Sequence, residues 1–291
     1  MLGSRSKYTL LTAALLGGMA GASGLLIPAQ AAGESASSAI PVFNPSPIGG
    51  WIPDRPTGDD FLPPPDGSAG PVMSDPKHPY VPNGGGRQST YRVADLTNPI
   101  LKPWAIESMK KANDDVLAGK IPYITRERCW PAGVPGYTVY TRGGQPSFFL
   151  QMKDRVVIVN ELNTQIRHIW LNVPHTANPK KSWYGESVGH YEGGTLVVDT
   201  IGLNDKTFVD NYRTPHTDQI HVVERFRMLE GGKILEATVK VEDPGAFNMP
   251  WTGVQRWRRT DREFTENPCE NNDGFFSYDV VAIPKAAKAD F

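Results

Sequence analysis

Two Glu-Gly-Gly turns constrain this chain more than any other feature. Glu192-Gly193-Gly194 and Glu230-Gly231-Gly232 each separate two runs rich in β-branched and apolar residues. Paired glycines adopt positive φ at no steric cost, which is what tight hairpin turns demand. The runs 183–191 and 195–203 therefore read as one hairpin, and 219–229 and 233–241 as another. Lys153-Asp154 makes a third hairpin from 147–152 and 155–160. Strands over 165–171 and 251–259 complete the set, with 263–266 as a possible extension. In 233–241, Leu235, Ala237, Val239 and Val241 alternate with polar side chains, the period of a half-buried strand.

About eight mostly antiparallel strands joined by short turns predict a mainly β fold, a closed barrel or a sandwich. A lipocalin-like barrel is favoured, because closure removes exposed edges and about eight strands enclose room for one small ligand. A helix should precede the strands: Asn98-Pro99 resembles a cap, Ile100, Leu101, Trp104, Met109, Val116 and Leu117 form an apolar stripe, and Gly119 stops it. Pro103 would delay its start by a turn. Residues 32–95 differ in character. Pro41, Pro45, Pro47, Pro53, Pro56 and Pro63-Pro64-Pro65 lead to Gly84-Gly85-Gly86, so an extended arm is expected. Trp51, Ile52, Phe61 and Leu62 could pin that arm to the domain. The organisation is thus a signal peptide over 1–31, the arm over 32–95, a β-rich domain over 96–280 and a tail over 281–291.

The signal peptide is read from its three parts. Arg5 and Lys7 form a basic start, an apolar stretch runs to about Ile27, and Pro28-Ala29-Gln30-Ala31 supplies small residues at a cleavage site. Cleavage near Ala31 would leave a periplasmic or secreted chain with no further hydrophobic run of the ~20 residues a bilayer requires. Without Arg5 and Lys7 the 30 basic residues fall to 28 against 31 acidic ones. That balance gives no reason to expect nucleic-acid binding. Two cysteines, Cys129 and Cys269, in an oxidising compartment point to one bridge closing a loop of about 140 residues, worth about 4–5 kcal/mol by loop entropy.

Several segments together resemble a widespread family of exported bacterial proteins. They are the run from Trp183 to Thr200 with W-x-G-x-S-x-G and T-L-V-V-D-T, Cys129-Trp130-Pro131-Ala132-Gly133-Val134-Pro135, Thr214-Pro215-His216-Thr217-Asp218, Val223-Glu224-Arg225-Phe226, Asp243-Pro244 with Pro250-Trp251, and Cys269-Glu270-Asn271-Asn272. The resemblance spans roughly residues 100–275 and implies one exported domain, not a mechanism. His190 and Gly194 depart from the arginine and aspartate that the resemblance leads one to expect.

Candidate chemistry starts from the histidines. His175 and His216 lie in polar loops leaving strands, where binding and catalytic groups collect. Asp218, two residues beyond His216, could orient it as a general base. Glu224 alternates with Val222 and Phe226, so it faces either a pocket or a buried cation. Glu161 and Arg167 are expected to pair, and Asp199 is a candidate for similar pairing. Gly185-Glu186-Ser187-Val188-Gly189 spells G-x-S-x-G, yet it runs into a strand and not through the strand–turn–helix of a nucleophile elbow. No phosphate-binding loop or dinucleotide fingerprint occurs, so no cofactor is expected.

The resulting expectation is a cofactor-free lyase or isomerase acting on a small hydrophobic or aromatic molecule. His216 serves as base, His175 or Glu224 as acid, with Glu161 alongside. Arg167, Asp218, Trp183 and Tyr184 bind substrate. A non-catalytic carrier for a small apolar ligand is one alternative. A metalloenzyme using His175, His216 and His221 is the other. The oligomeric state is left open.

Overall fold

The computed structural model describes residues 39–44, 49–54, 60–79, 92–120, 123, 125, 129–139, 145–161 and 165–266. The N-terminal 31 residues, Cys269 and the 281–291 tail lie outside them.

Nine strands close into a barrel: β1 (Gly50–Pro53), β2 (Ser147–Gln151), β3 (Arg155–Asn160), β4 (Gln165–Leu171), β5 (Glu186–Glu192), β6 (Thr195–Ile201), β7 (His221–Leu229), β8 (Ile234–Glu242) and β9 (Trp251–Thr260). The hairpins β2–β3, β5–β6 and β7–β8 turn where the sequence places them. Among the described residues there is one helix, α1, which spans Pro103–Leu117 and starts about a turn after Asn98, the delay expected from Pro103. The Asn98 side chain instead accepts the Ile100 amide at 3.1 Å, an Asx turn ahead of the helix.

One expectation is refined. The arm is not merely extended, because it supplies β1. Trp51 is fully buried and pairs with both Ser147 and Arg259, closing β2 onto β9. Phe43 is also fully buried and meets Phe149 at a ring separation of 5.1 Å, while Gln151 accepts the Phe43 amide at 2.9 Å and donates to the Pro41 carbonyl at 2.8 Å. Proline-rich sequence disfavours a ladder, but within β1 proline comes only at the last position, Pro53. The sheet is mostly antiparallel, as expected, with one parallel pair. Strand directions in a closed antiparallel ring must alternate, which an odd number of strands forbids. The parallel pair falls at β4–β5, with Ile169 opposite Ser187 and Leu171 opposite Gly189.

Parallel neighbours need a connection that travels the length of the sheet. Residues 172–185 make that crossover, without a helix, along the outer wall. Pro179 packs on Gly202, and Ser182 bonds Gly202 and Asn204 through the backbone. Gly185 turns the chain back into β5 at φ 62°, where a Cβ would stand 2.3 Å from the Ile201 carbonyl oxygen.

The barrel thus has two unlike ends. One carries the three short hairpins and is filled by Phe43. The other carries the long β6–β7 and β8–β9 connections and is filled by residues 129–139, including a 3-10 turn over Gly136–Thr138. Between them the wall points Val198, Val222, Phe226, Leu235, Ala237, Val239, Val241 and Trp251 inward, all essentially inaccessible.

Candidate functional site at the loop end of the barrel

The inward face of β4, β5, β6 and β7 is polar at the loop end: Gln165 and Arg167 on β4, Ser187 on β5, Thr200 on β6 and Glu224 on β7. Strand period alone puts them there, since each shares its parity with buried apolar neighbours. Arg167 binds Glu224 through both nitrogens of its fork, Nη1 to Oε1 at 3.1 Å and Nη2 to Oε2 at 2.5 Å. Its Nε donates to Ser187 Oγ at 3.2 Å, and Nη2 to Thr200 Oγ1 at 2.8 Å. The Tyr137 hydroxyl, delivered by the 3-10 turn, donates to Glu224 Oε1 at 3.4 Å, and the Arg167 guanidinium lies 4.9 Å from the Tyr137 ring centre.

Electrostatics follow the burial. Burial opposes charge on Arg167, but the Glu224 carboxylate outweighs it and holds the guanidinium firmly protonated. Burial pushes the Tyr137 phenol well above its usual range, with the Glu224 charge adding to the effect. Tyr184 is raised by burial as well. Its hydroxyl donates to Gln165 Oε1, which also accepts the Ala132 amide at 3.1 Å.

Above this polar layer lies an aromatic group. Trp130 and Trp183 have ring centres 5.5 Å apart, and Tyr123 meets Trp130 at 6.2 Å and Phe208 at 6.3 Å. Trp130 is exposed and the other three are half-buried. Trp183 and Tyr184 end the crossover, Trp130 opens the 129–139 plug, and Phe208 lies in the β6–β7 connection. Gly133 lets plug and connection touch: a Cβ there would fall 2.5 Å from Thr207 Oγ1.

The expected catalytic residues do not share one cavity. His216 is buried, and Asp218 does not orient it. Its Nδ1–H donates to the Thr217 carbonyl at 2.9 Å, so Nε2 accepts the Thr207 hydroxyl at 2.7 Å. Asp218 is exposed and pairs with Lys181 on the crossover. Burial lowers the His216 pKa, which suits a neutral imidazole bracing Thr207 beneath Phe208. Glu161 does not meet Arg167; its Oε2 accepts the Thr265 amide at 3.2 Å. His175 is on the outer wall, between Glu186 and Asp199. Arg167 is committed to protein partners and is poorly placed to hold a substrate anion.

The three-histidine metal alternative is not met either. His175 and His221 approach each other across Asp199, but His216 is elsewhere. Among the described residues no group of three or more His, Cys, Asp or Glu is arranged to hold a metal ion. Ser187 of G-x-S-x-G faces the barrel interior and binds Arg167 and Thr200, with no helix after it. Cys129 is not a free thiol. Its expected partner lies outside the described residues, so that pairing remains a proposal.

Sequence reasoning missed Tyr137, Ser187 and Thr200 as companions of Glu224. Period two places Ser187 and Thr200 inward, but only strand order brings them to Arg167. His216→Ala should cost about 1–3 kcal/mol by leaving the Thr207 hydroxyl unpaired, read as a lower thermal midpoint. Because the folded-state pKa is depressed, His216 contributes fully above the ordinary imidazole range near ~6.5, and that contribution is lost as pH falls. An unchanged midpoint would contradict the packing described.

No protein-family model, curated protein or solved structure matches this chain.

Proposed function

We propose that this chain is an exported β-barrel binding protein that takes a small aromatic or apolar molecule at its loop end. One observation carries the reading. Trp130, Trp183, Tyr123 and Phe208 form a contiguous aromatic face that stays partly open to solvent, at the barrel end built from long connections. Flat aromatic ligands gain both area burial and ring–ring geometry on such a surface. Export rests on the N-terminal pattern, and the absence of a nucleotide motif fits a compartment poor in nucleotides. Among the described residues no helix is long and apolar enough to cross a membrane.

The second reading is acid–base catalysis by a lyase or isomerase, with Glu224 and Tyr137 taking the roles first given to the histidines. It is favoured by the Tyr137 hydroxyl facing the Glu224 carboxylate inside the barrel. It ranks second because Arg167 already occupies both oxygens of that carboxylate.

Titration with the neutral fluorophore N-phenyl-1-naphthylamine tests the first reading. The double variant Trp130→Ala/Trp183→Ala should lose tenfold or more in affinity, on the order of the area and ring terms removed. Unchanged affinity, with the fold intact by circular dichroism, would remove the proposal. Glu224→Gln discriminates the second reading. Exchange of solvent deuterium into a co-purified ligand, abolished by that change, would establish catalysis.

A further inference from the structure

The outer wall carries a ladder of alternating charge that the ligand site does not use. It runs Glu186 on β5, His175 on the crossover, Asp199 on β6, His221 on β7, and Glu242 with Lys240 on β8. His175 Nδ1 lies 3.0 Å from Glu186 Oε1, and its Nε2 lies 2.9 Å from Asp199 Oδ1. His221 Nε2 shares that same Asp199 oxygen at 3.0 Å, with its Nδ1 3.8 Å from Glu242.

Ionised carboxylates only accept hydrogen bonds, whereas a neutral imidazole has one donor and one acceptor nitrogen. His175 can satisfy both neighbours only as an imidazolium. When it is neutral, one lone pair faces a carboxylate oxygen at about hydrogen-bond distance, and attraction turns to repulsion. His221 has the same polarity with a looser second contact. We propose that the crossover 172–185 is a pH-operated clasp, held to the barrel wall while His175 and His221 are protonated and released when they are neutral.

The carboxylates facing the two rings, Glu186, Asp199 and Glu242, favour this direction, and Lys240, which partly neutralises Glu242, opposes it. Glu186 is itself held by the Thr176 amide at 2.8 Å and hydroxyl at 3.0 Å, and Lys240 pairs with Glu242. The crossover is also tied to the β6–β7 connection by the ion pair of Lys181 with Asp218. The hydrogen bond to Asp199 raises the His221 pKa, and the hydrogen bond from His221 lowers that of Asp199. The clasp's stabilisation is therefore complete below the ordinary imidazole range and lost as pH rises through the raised His221 value. Partial exposure makes it sensitive to salt as well.

The inference does not depend on the binding reading, though Trp183 and Tyr184 at the end of the crossover connect the two. The test is amide hydrogen exchange at Thr176 in the mature chain, expressed as protection relative to the intrinsic rate at each pH. Protection should fall about tenfold between roughly pH 5.5 and pH 8.5, the scale of one charge-assisted hydrogen bond lost. In His175→Gln the step should be absent, and in His221→Gln, which leaves the crossover's own contacts in place, it should be reduced. Equal protection at both pH values, or a full step in His221→Gln, overturns the proposal. A clear step together with unaltered fluorophore binding in Trp130→Ala/Trp183→Ala would sink the binding reading and leave the clasp standing.

Discussion

Removing the chain up to Asp54 is expected to leave a protein that no longer folds as a closed barrel. The deletion takes away β1, which pairs with β9 over Gly50–Pro53 and meets β2 at Trp51. It therefore exposes two unpaired edges, on β2 and β9, which invite association between chains. Two fully buried aromatic side chains, Trp51 and Phe43, go with it. Trp51 also receives the Arg259 guanidinium 4.5 Å from its ring centre. Truncating a buried Phe or Trp to Ala costs about 3–5 kcal/mol, a large share of the 5–15 kcal/mol that holds an ordinary domain folded. Size-exclusion chromatography and circular dichroism of the truncated chain should show aggregation or loss of the cooperative melt. Trp51→Ala alone should lower the melting midpoint by roughly 10 °C, at 2–4 °C per kcal/mol for a domain this size. A truncated chain that stays monomeric and melts near the parent temperature would contradict the placement of β1.

Arg167→Met is the second large effect. It should destabilise the protein by about 3–5 kcal/mol, because it strands the Glu224 carboxylate where solvent does not reach. Ser187 and Thr200 would lose their shared donor at the same time. The double change Arg167→Met/Glu224→Leu should recover most of that loss, since apolar side chains of similar volume can replace a buried ion pair with little net cost. Urea unfolding of the parent, the two single variants and the double variant measures the coupling directly. If the single losses simply add in the double variant, the pair is not the self-contained unit its geometry describes.

These two effects concern different things that the chain sequence says. Glu224 was legible as an inward residue because it alternates with Val222 and Phe226. Its partner was not: Glu161 is nearer to Arg167 along the chain, and only the order β4–β5–β6–β7 carries Arg167 to Glu224. His216 was legible as a loop residue. Its burial and its bonds to Thr207 and Thr217 arise from how the β6–β7 connection folds over the plug. His175 and His221 are far apart in sequence and could not be seen to share Asp199.

The sequence by itself determined what is local. Glycine pairs set two of the hairpin turns and Lys153-Asp154 the third, a period of two set which strand residues face inward, and Gly119 ended the helix at φ 77°. These follow from backbone sterics and from neighbours a few residues away. The tertiary structure decided what depends on closure. A ring of nine strands requires one parallel pair, that pair requires the crossover, and the crossover presents Trp183, Tyr184 and His175. The arm strand was decided the same way. Four residues that end in proline have little strand character of their own, and they form β1 because the unpaired edges of β2 and β9 leave a place for them.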